Sequence, residues 1–378
     1  MKENWNMEKP TVRLHYDHSF VITVLLLVGV GIVTLYSASY AFAERFFHDR
    51  WYFFARQSVY ALLGLAAFFA VSWFPLEKIR GVIMPLVLVT MFLCVLALIP
   101  AIGVTKNGAS RWIGIGPWTY QPSELVKLVL PLYLAHIFEK KKDSLDSFWG
   151  GIFPPLAVTV MFFILIYLQN NFSMAVFIMM NALVLFFLAG SKMRYFAGAA
   201  AVVAPVSFLL ILTKEHRLRR VLSFIWPDWE PLGSGYQVGN SLKAIQSGGF
   251  WGKGIGQGTR KIASVPEVQS DFIFASYTEE AGFIGVILFL GLIAVFMLRT
   301  IDAALKTGDM FKRLLAIGIG MMILSQALVN IAVVSRTIPA TGIPLPFFSA
   351  GGSSLTTMLV MAGLIANIGK SEVAINER

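Results

Sequence analysis

Cysteine is almost missing from this chain, and its scarcity removes whole classes of chemistry. The one residue, Cys94, lies in the apolar stretch GVIMPLVLVTMFLCVLALIP, so no intramolecular disulfide can form and no pair of cysteines can ligate a metal. Charge is scarce too. Only 14% of the 378 residues are Asp, Glu, Lys or Arg, against 57% hydrophobic, and the mean hydropathy is +0.70. One soluble core could not hide that much apolar surface, which excludes a water-soluble globular domain and points to a lipid bilayer. There is no internal repeat, no low-complexity tract and no recognisable metal-binding cluster. The glycine-rich stretch GKGIGQG at 252–258 fits neither the dinucleotide fingerprint nor the phosphate-loop pattern, so a soluble nucleotide site is excluded.

What is present is a series of long apolar runs. About 20 apolar residues are needed for each helical crossing, which gives spans near 20–42, 53–74, 81–102, 119–138, 150–169, 172–190, 194–213, 272–298, 312–335 and 353–369. AFA at 41–43 has the look of a signal-peptidase site, but the first apolar segment is longer than a signal peptide's core and reads as a retained span. The net charge of +10 does not imply nucleic acid. Lys2, Lys9 and Arg13, then Lys78 and Arg80, Lys140–Lys142, Lys192 and Arg194, Arg299–Arg313 and Lys370 alternate along the chain as the positive-inside rule requires, which places both termini in the cytoplasm. The expectation is an all-α membrane protein, one domain over 1–378, with about ten transmembrane helices and a large extracytoplasmic loop between helices 7 and 8, about 214–271. That loop holds eight Lys and Arg but is rich in Trp, Pro and Gly, the composition of a packed outer cap.

Several polar groups in these apolar surroundings are candidates for function. Glu124 and Lys127 sit three residues apart in WTYQPSELVKLVLPLYL, so they share a helix face and can neutralise each other. Such a pair stabilises the fold or marks a cavity, since charge at membrane depth is costly. Arg111 is a weaker candidate in the preceding loop. Arg217, Arg219 and Arg220 can snorkel to lipid headgroups or grip a diphosphate with their planar forks. Lys253, Arg260 and Lys261 flank the glycines, where the backbone either simply turns or approaches a phosphate or sugar closely. Ser353 is the penultimate residue of IPATGIPLPFFSAGGSS, which reads as ordinary helix punctuation or as a re-entrant loop opening on a helix N-terminus. Asp271 precedes FIFASY, as a helix cap or as an acid at an aqueous mouth. Glu279 and Glu280 follow roughly 12–14 Å deeper at 1.5 Å per residue, where Lys127 is an available partner.

The stretch PEVQSDFIFASYTEEAGFIG resembles the RodA, FtsW and SpoVE family, the SEDS proteins of shape, elongation, division and sporulation. So do LYSAS, RQ at 56–57, NGASRWIGIGPWTYQPSELVKL, PLGSGYQVGNSLKAIQSGGFWGKGIGQG and TGIPLPFFSAGGSS, in the family's order and over nearly the whole chain. The resemblance implies a ten-span peptidoglycan glycosyltransferase of the bacterial cytoplasmic membrane, polymerising lipid II at the outer face for elongation or division, beside a class B penicillin-binding protein. It assigns Asp271 as the essential acid and maps the family's Q-P-S-E-x-x-K motif onto Gln121, Pro122, Ser123, Glu124 and Lys127. Three positions depart from the pattern: Asn170–Asn171 where many relatives have Pro-Asp, Gln269–Ser270 where His-Thr is common, and Ala350 where an aromatic is usual.

The chemistry implied is single displacement with inversion. Asp271 takes the proton from a sugar hydroxyl as it attacks the lipid-linked anomeric carbon. Arg217, Arg220, Lys253, Arg260, or a Mg or Mn ion arriving with the diphosphate, steadies the leaving group. Glu124, Lys127 and Glu280 are expected to line a cavity above grooves for the prenyl tails. Besides lipid II, the expected partners are the growing glycan strand and membrane lipids. A lipid II flippase is the alternative, because midplane charges and broken helices suit a transporter as well.

Overall fold

The computed structural model describes residues 11–106, 108–115, 118–226, 234–258 and 269–375. In chain order these form strand β1 (Thr11–His15), helices α1 (His18–Phe47), α2 (Tyr52–Trp73) and α3 (Leu76–Leu96), strands β2 (Gly103–Lys106), β3 (Ala109–Ile115) and β4 (Trp118–Tyr120), then helices α4 (Pro122–Lys140), α5 (Phe153–Leu168), α6 (Phe172–Leu188), α7 (Met193–Leu212), α8 (Glu215–Ile225), α9 (Ser234–Gly248), α10 (Ile273–Lys306), α11 (Met310–Val334) and α12 (Gly352–Ile368), and strand β5 (Ser371–Ile375). Among the described residues six helical segments are long and apolar enough to cross a membrane: His18–Phe47, Tyr52–Trp73, Leu76–Leu96, Phe148–Leu168, Ile273–Lys306 and Met310–Val334. Phe172–Leu188 and Gly352–Ile368 are shorter apolar helices. The chain is an integral membrane protein, and it is mostly helical.

The expected spans differ from these helices most between the third and the fourth. The third helix stops at Leu96, and the fourth starts only at Pro122, because 103–120 fold into a three-stranded antiparallel sheet in the order β2-β3-β4. Pro122 opens α4 in the position where a missing N–H costs nothing. Among its described residues the 214–271 segment contains two helices, of which α8 is amphipathic: Arg217 and Arg220, three residues apart, share one face, while Arg219 points elsewhere and pairs with Glu215 at 2.5 Å. Strands β1 and β5 pair antiparallel, so the two chain ends meet at one end of the bundle. At that same end Arg80 bridges Glu139, at 2.8 Å, and Asp309.

Close approach of α2 and α12 relies on small residues. A Cβ on Gly363 would fall 2.6 Å from the Phe68 carbonyl oxygen, and one on Gly352 would strike the Tyr60 ring. Helix α10 is interrupted at Gly282, whose φ of 64° and ψ of −165° no other residue adopts easily. The break frees backbone groups that a membrane cannot satisfy. The turn after α9 satisfies them: Lys253 and Gly254 donate N–H to the carbonyls of Glu279 and Glu280, at 3.0 Å each, and the Phe283 N–H donates to Gly249 O at 3.0 Å. Gly252 must be glycine-sized for this, since its Cβ would sit 2.1 Å from the Glu280 carbonyl oxygen.

Candidate functional site

At the end of the bundle opposite the paired strands, the sheet, α8, the first turns of α2, α4, α6 and α12, and the 338–351 loop surround a cavity of about 1230 Å³. Asp271, Glu124, Arg111, Arg217, Arg220 and Ser353 all contribute to its wall. The sequence therefore named six residues that the fold brings together from five separate stretches of chain.

Asp271 lies in the turn just before α10, and its carboxylate abuts the 338–351 loop at Gly342. A Cβ there would fall 3.3 Å from Asp271 Oδ2, and Gly342 has φ +73°. Facing it is a cationic side. Arg111, on β3, donates through Nη2 to Asn170 O at 2.5 Å. Burial and the like charge of Arg220 pull the Arg111 guanidinium below its ordinary range, while the Asp271 carboxylate opposes that shift. Arg217 is clasped between the Tyr167 and Phe172 rings at 4.9 and 4.7 Å and donates to Leu210 O at 3.0 Å, which fastens α8 to the α5–α6 corner. Arg220 reaches Ala340 O at 3.4 Å. The Nε donors of Arg111 and Arg217 have no hydrogen-bond partner among the described residues.

Glu124 and Lys127 form an ion pair at 2.5 Å, and both side chains are essentially inaccessible. Only Glu124 reaches the cavity wall. Lys127 turns into the protein and donates to Gln326 Oε1 at 2.9 Å, so it is a buried partner rather than a wall residue. Glu280 and Lys253 require a larger correction. Neither lines the cavity, because the break at Gly282 draws this stretch against the turn after α9. Glu280 accepts from Ser37 Oγ at 2.7 and 2.8 Å, and Lys253 pairs with Glu279 at 2.7 Å. The expected partnership of Lys127 with these acids is replaced by its bonds to Glu124 and Gln326. Arg260 lies outside the described residues.

Sequence reasoning overlooked several wall residues. Arg56 and Gln57, on the first turns of α2, were visible only as a matched RQ pair, and Lys214 was hidden among loop basics. Gln57 clamps the 338–351 loop, donating to Ser349 O at 3.1 Å and accepting from Gly351 N at 3.2 Å. Asn170 and Asn171 also line the cavity. Asn170 has φ 57°, a value the proline ring forbids, and its Nδ2 donates to Gly108 O at 3.2 Å.

Known proteins resemble this chain along most of its length. The family model described as "Cell cycle protein", which spans FtsW, RodA and SpoVE, matches residues 17–373. The "Probable peptidoglycan glycosyltransferase FtsW" of Geobacter sp. (strain M18) is 37% identical over 353 residues, covering 93% of this chain and 96% of the relative. Stage V sporulation protein E of Bacillus subtilis (strain 168) is 37% identical over 360 residues, covering 94% and 97%. Among solved structures, a chain of a peptidoglycan synthase complex, described as coordinating polymerization and crosslinking, superposes with a TM-score of 0.79 at 29% identity, over 94% of this chain and 98% of that one. The crystal structure of the rod shape determining protein RodA of Thermus thermophilus gives 0.67 at 27% identity, over 97% and 98%.

Proposed function

The chain belongs to the FtsW, RodA and SpoVE family, and from that premise we propose that it is a peptidoglycan glycosyltransferase that polymerises lipid II at the outer face of the bacterial cytoplasmic membrane. One observation carries the reading: Asp271 shares a single large cavity with Arg111, Arg217 and Arg220. A base for one substrate and cations for the other are what this reaction requires.

The acceptor's sugar hydroxyl is a poor nucleophile. The Asp271 carboxylate accepts its proton as the new C–O bond forms at the donor's anomeric carbon, a contribution of about 10² to 10⁴-fold for a positioned general base. The bond from that carbon to the diphosphate oxygen breaks on the opposite side, so the configuration inverts. Undecaprenyl diphosphate departs with its electron pair and its negative charge. It needs positive charge more than a proton, and the guanidinium forks of Arg220, Arg111 and Arg217 offer it bidentate donors.

A divalent cation fits here only as a companion of the diphosphate. The acids of the cavity wall are Asp271 and Glu124, and Glu124 is held by Lys127. Among the described residues no group of three His, Cys, Asp or Glu stands ready for a metal. A Mg or Mn ion would then be held by diphosphate oxygens, with the Asp271 carboxylate in the cavity wall as the protein group of suitable chemistry beside it, and would add Lewis-acid charge.

Two further points belong to the proposal. The cavity faces outward and both termini lie in the cytoplasm; the support is that β1 and β5 meet at the end where Arg80, Lys140 and Lys312 cluster, as the positive-inside rule asks. A class B penicillin-binding protein is the crosslinking partner, supported by the likeness to a chain of a peptidoglycan synthase complex. The test uses purified protein and fluorescent lipid II, with and without candidate partners, followed on gels and in liposomes. Long glycan that disappears with Asp271→Asn is expected. Translocation across the liposome bilayer without any polymer would instead make the protein a flippase.

A further inference from the structure

Two amides on the inner face of α11 take no part in the mechanism above. Gln326 and Asn330 are four residues apart, one helical turn, so they stack on one side of the helix. They are 0% and 1% exposed. Amides in the interior of a membrane helix are expensive unless each finds a partner.

Their partners converge on a single place. Asn330 Nδ2 donates to two carbonyls at once, Asp271 O at 2.9 Å and Ile343 O at 2.8 Å. Gln326 Nε2 donates to the next carbonyl of that loop, Pro344 O at 2.9 Å, while its Oε1 accepts from Lys127 Nζ at 2.9 Å. The residues before Asp271 are fastened in the same manner: Gln269 O accepts from Ala350 N at 2.8 Å and Ser270 O from Ser349 Oγ at 2.5 Å. Asp271 lies outside α10, so no helical ladder fixes its backbone. Three successive carbonyls, 269 to 271, are instead pinned to the 338–351 loop and to α11.

We propose that Asn330 is a positioning residue for Asp271, braced from behind by Gln326 and Lys127. The inference rests on the reading of Asp271 as general base. A primary amide suits this place because it carries two N–H donors and no charge. It can tie the acid's backbone to the loop that its carboxylate touches at Gly342 without adding an ion beside that carboxylate. Leucine would supply neither donor, and an ionised aspartate would supply none and add a like charge. Lys127 thereby acts on the reaction through Gln326, which accounts for a fully buried lysine that does not reach the cavity.

The test compares Asn330→Leu, Asn330→Asp and Asn330→Gln, purified in one detergent, by kcat and KM for lipid II polymerisation. Leucine and aspartate should lower kcat by about 10²-fold, the cost of misplacing a reacting group by about 1 Å, with KM unchanged. Glutamine, which keeps both donors, should restore part of the loss. Each change is then repeated in an Asp271→Asn background, where it should cause no further loss of the residual rate, because a group that acts only through the carboxylate has nothing left to position. An equal loss in that background, or a higher KM with kcat intact, overturns the inference. If Asn330→Leu does not fold, Gln326→Leu is read in its place, with kcat falling at constant KM supporting the brace and wild-type kcat refuting it. If Asp271→Asn itself polymerises at the wild-type rate, the general-base reading fails on its own account, whatever residue 330 does.

Discussion

Breaking the Glu124–Lys127 pair should cost far more than deleting it. Lys127→Met leaves the Glu124 carboxylate in a site that shows 2% of its side chain to solvent, and Glu124→Gln leaves the buried ammonium with neutral amide oxygens, its own neighbour's and Gln326 Oε1 at 2.9 Å, and no counter-charge. Removing one member of a buried pair typically costs about 3–5 kcal/mol, because the other charge stays desolvated. Glu124→Gln with Lys127→Met removes both charges. What is lost then is the bond to Gln326, whose oxygen is left without a donor at a cost of about 1–3 kcal/mol. The double variant should therefore be more stable than either single variant, by about 2 kcal/mol as the difference between those ranges. Thermal unfolding of the three purified proteins in one detergent, followed by tryptophan fluorescence, reads this as a rank order of midpoints. A double variant that melts below both singles would refute the reasoning, and so would single variants that melt with the wild type. Recovered stability should not bring back full polymerisation, since Glu124 is part of the cavity wall.

Other changes should act through backbone shape and charge. Asn170→Pro should destabilise the protein by about 1–3 kcal/mol because φ 57° is closed to proline, whereas Asn170→Gly should be tolerated; thermal midpoints decide. Gly342→Ala combines φ +73° with a Cβ 3.3 Å from Asp271 Oδ2, so glycan synthesis should fall at constant expression. Gly252→Ala should prevent the turn after α9 from closing the break in α10, giving protein that aggregates on extraction from the membrane, as judged by size-exclusion profiles. Arg220→Gln should raise KM for lipid II more than it lowers kcat if the guanidinium binds ground-state diphosphate; unchanged kinetics would remove it from the site.

Much of the site was legible because charge is so rare in this chain. A lone Asp271 before an apolar run, or Glu124 and Lys127 inside one, is conspicuous, and membrane burial makes such residues functional candidates by default. The distance along the chain between Arg111, Arg217 and Asp271 was no obstacle, since each stood near the end of an apolar run or in a loop. Glu280 misled because helical rise carried it inward by arithmetic, when the chain breaks at Gly282 and turns those carboxylates toward Ser37 and Lys253. That break has a signal only in retrospect: the glycines of GKGIGQG supply the backbone that it needs. The sheet at 103–120 fell almost wholly in the loop between the expected spans 81–102 and 119–138, and its strands of three to seven residues are too short to leave a clear alternating pattern. Gln326 and Asn330 were passed over because the search for functional groups followed charge, although neutral amides in a membrane helix also require partners.

The account depends most on the Asp271 carboxylate removing the acceptor's proton. A single-turnover measurement of glycosidic bond formation, with saturating fluorescent lipid II and wild-type or Asp271→Asn protein of matched folding, tests it directly. The predicted result is a bond-forming rate lowered by at least about 10²-fold with lipid II still bound. Equal rates for the two proteins would contradict it.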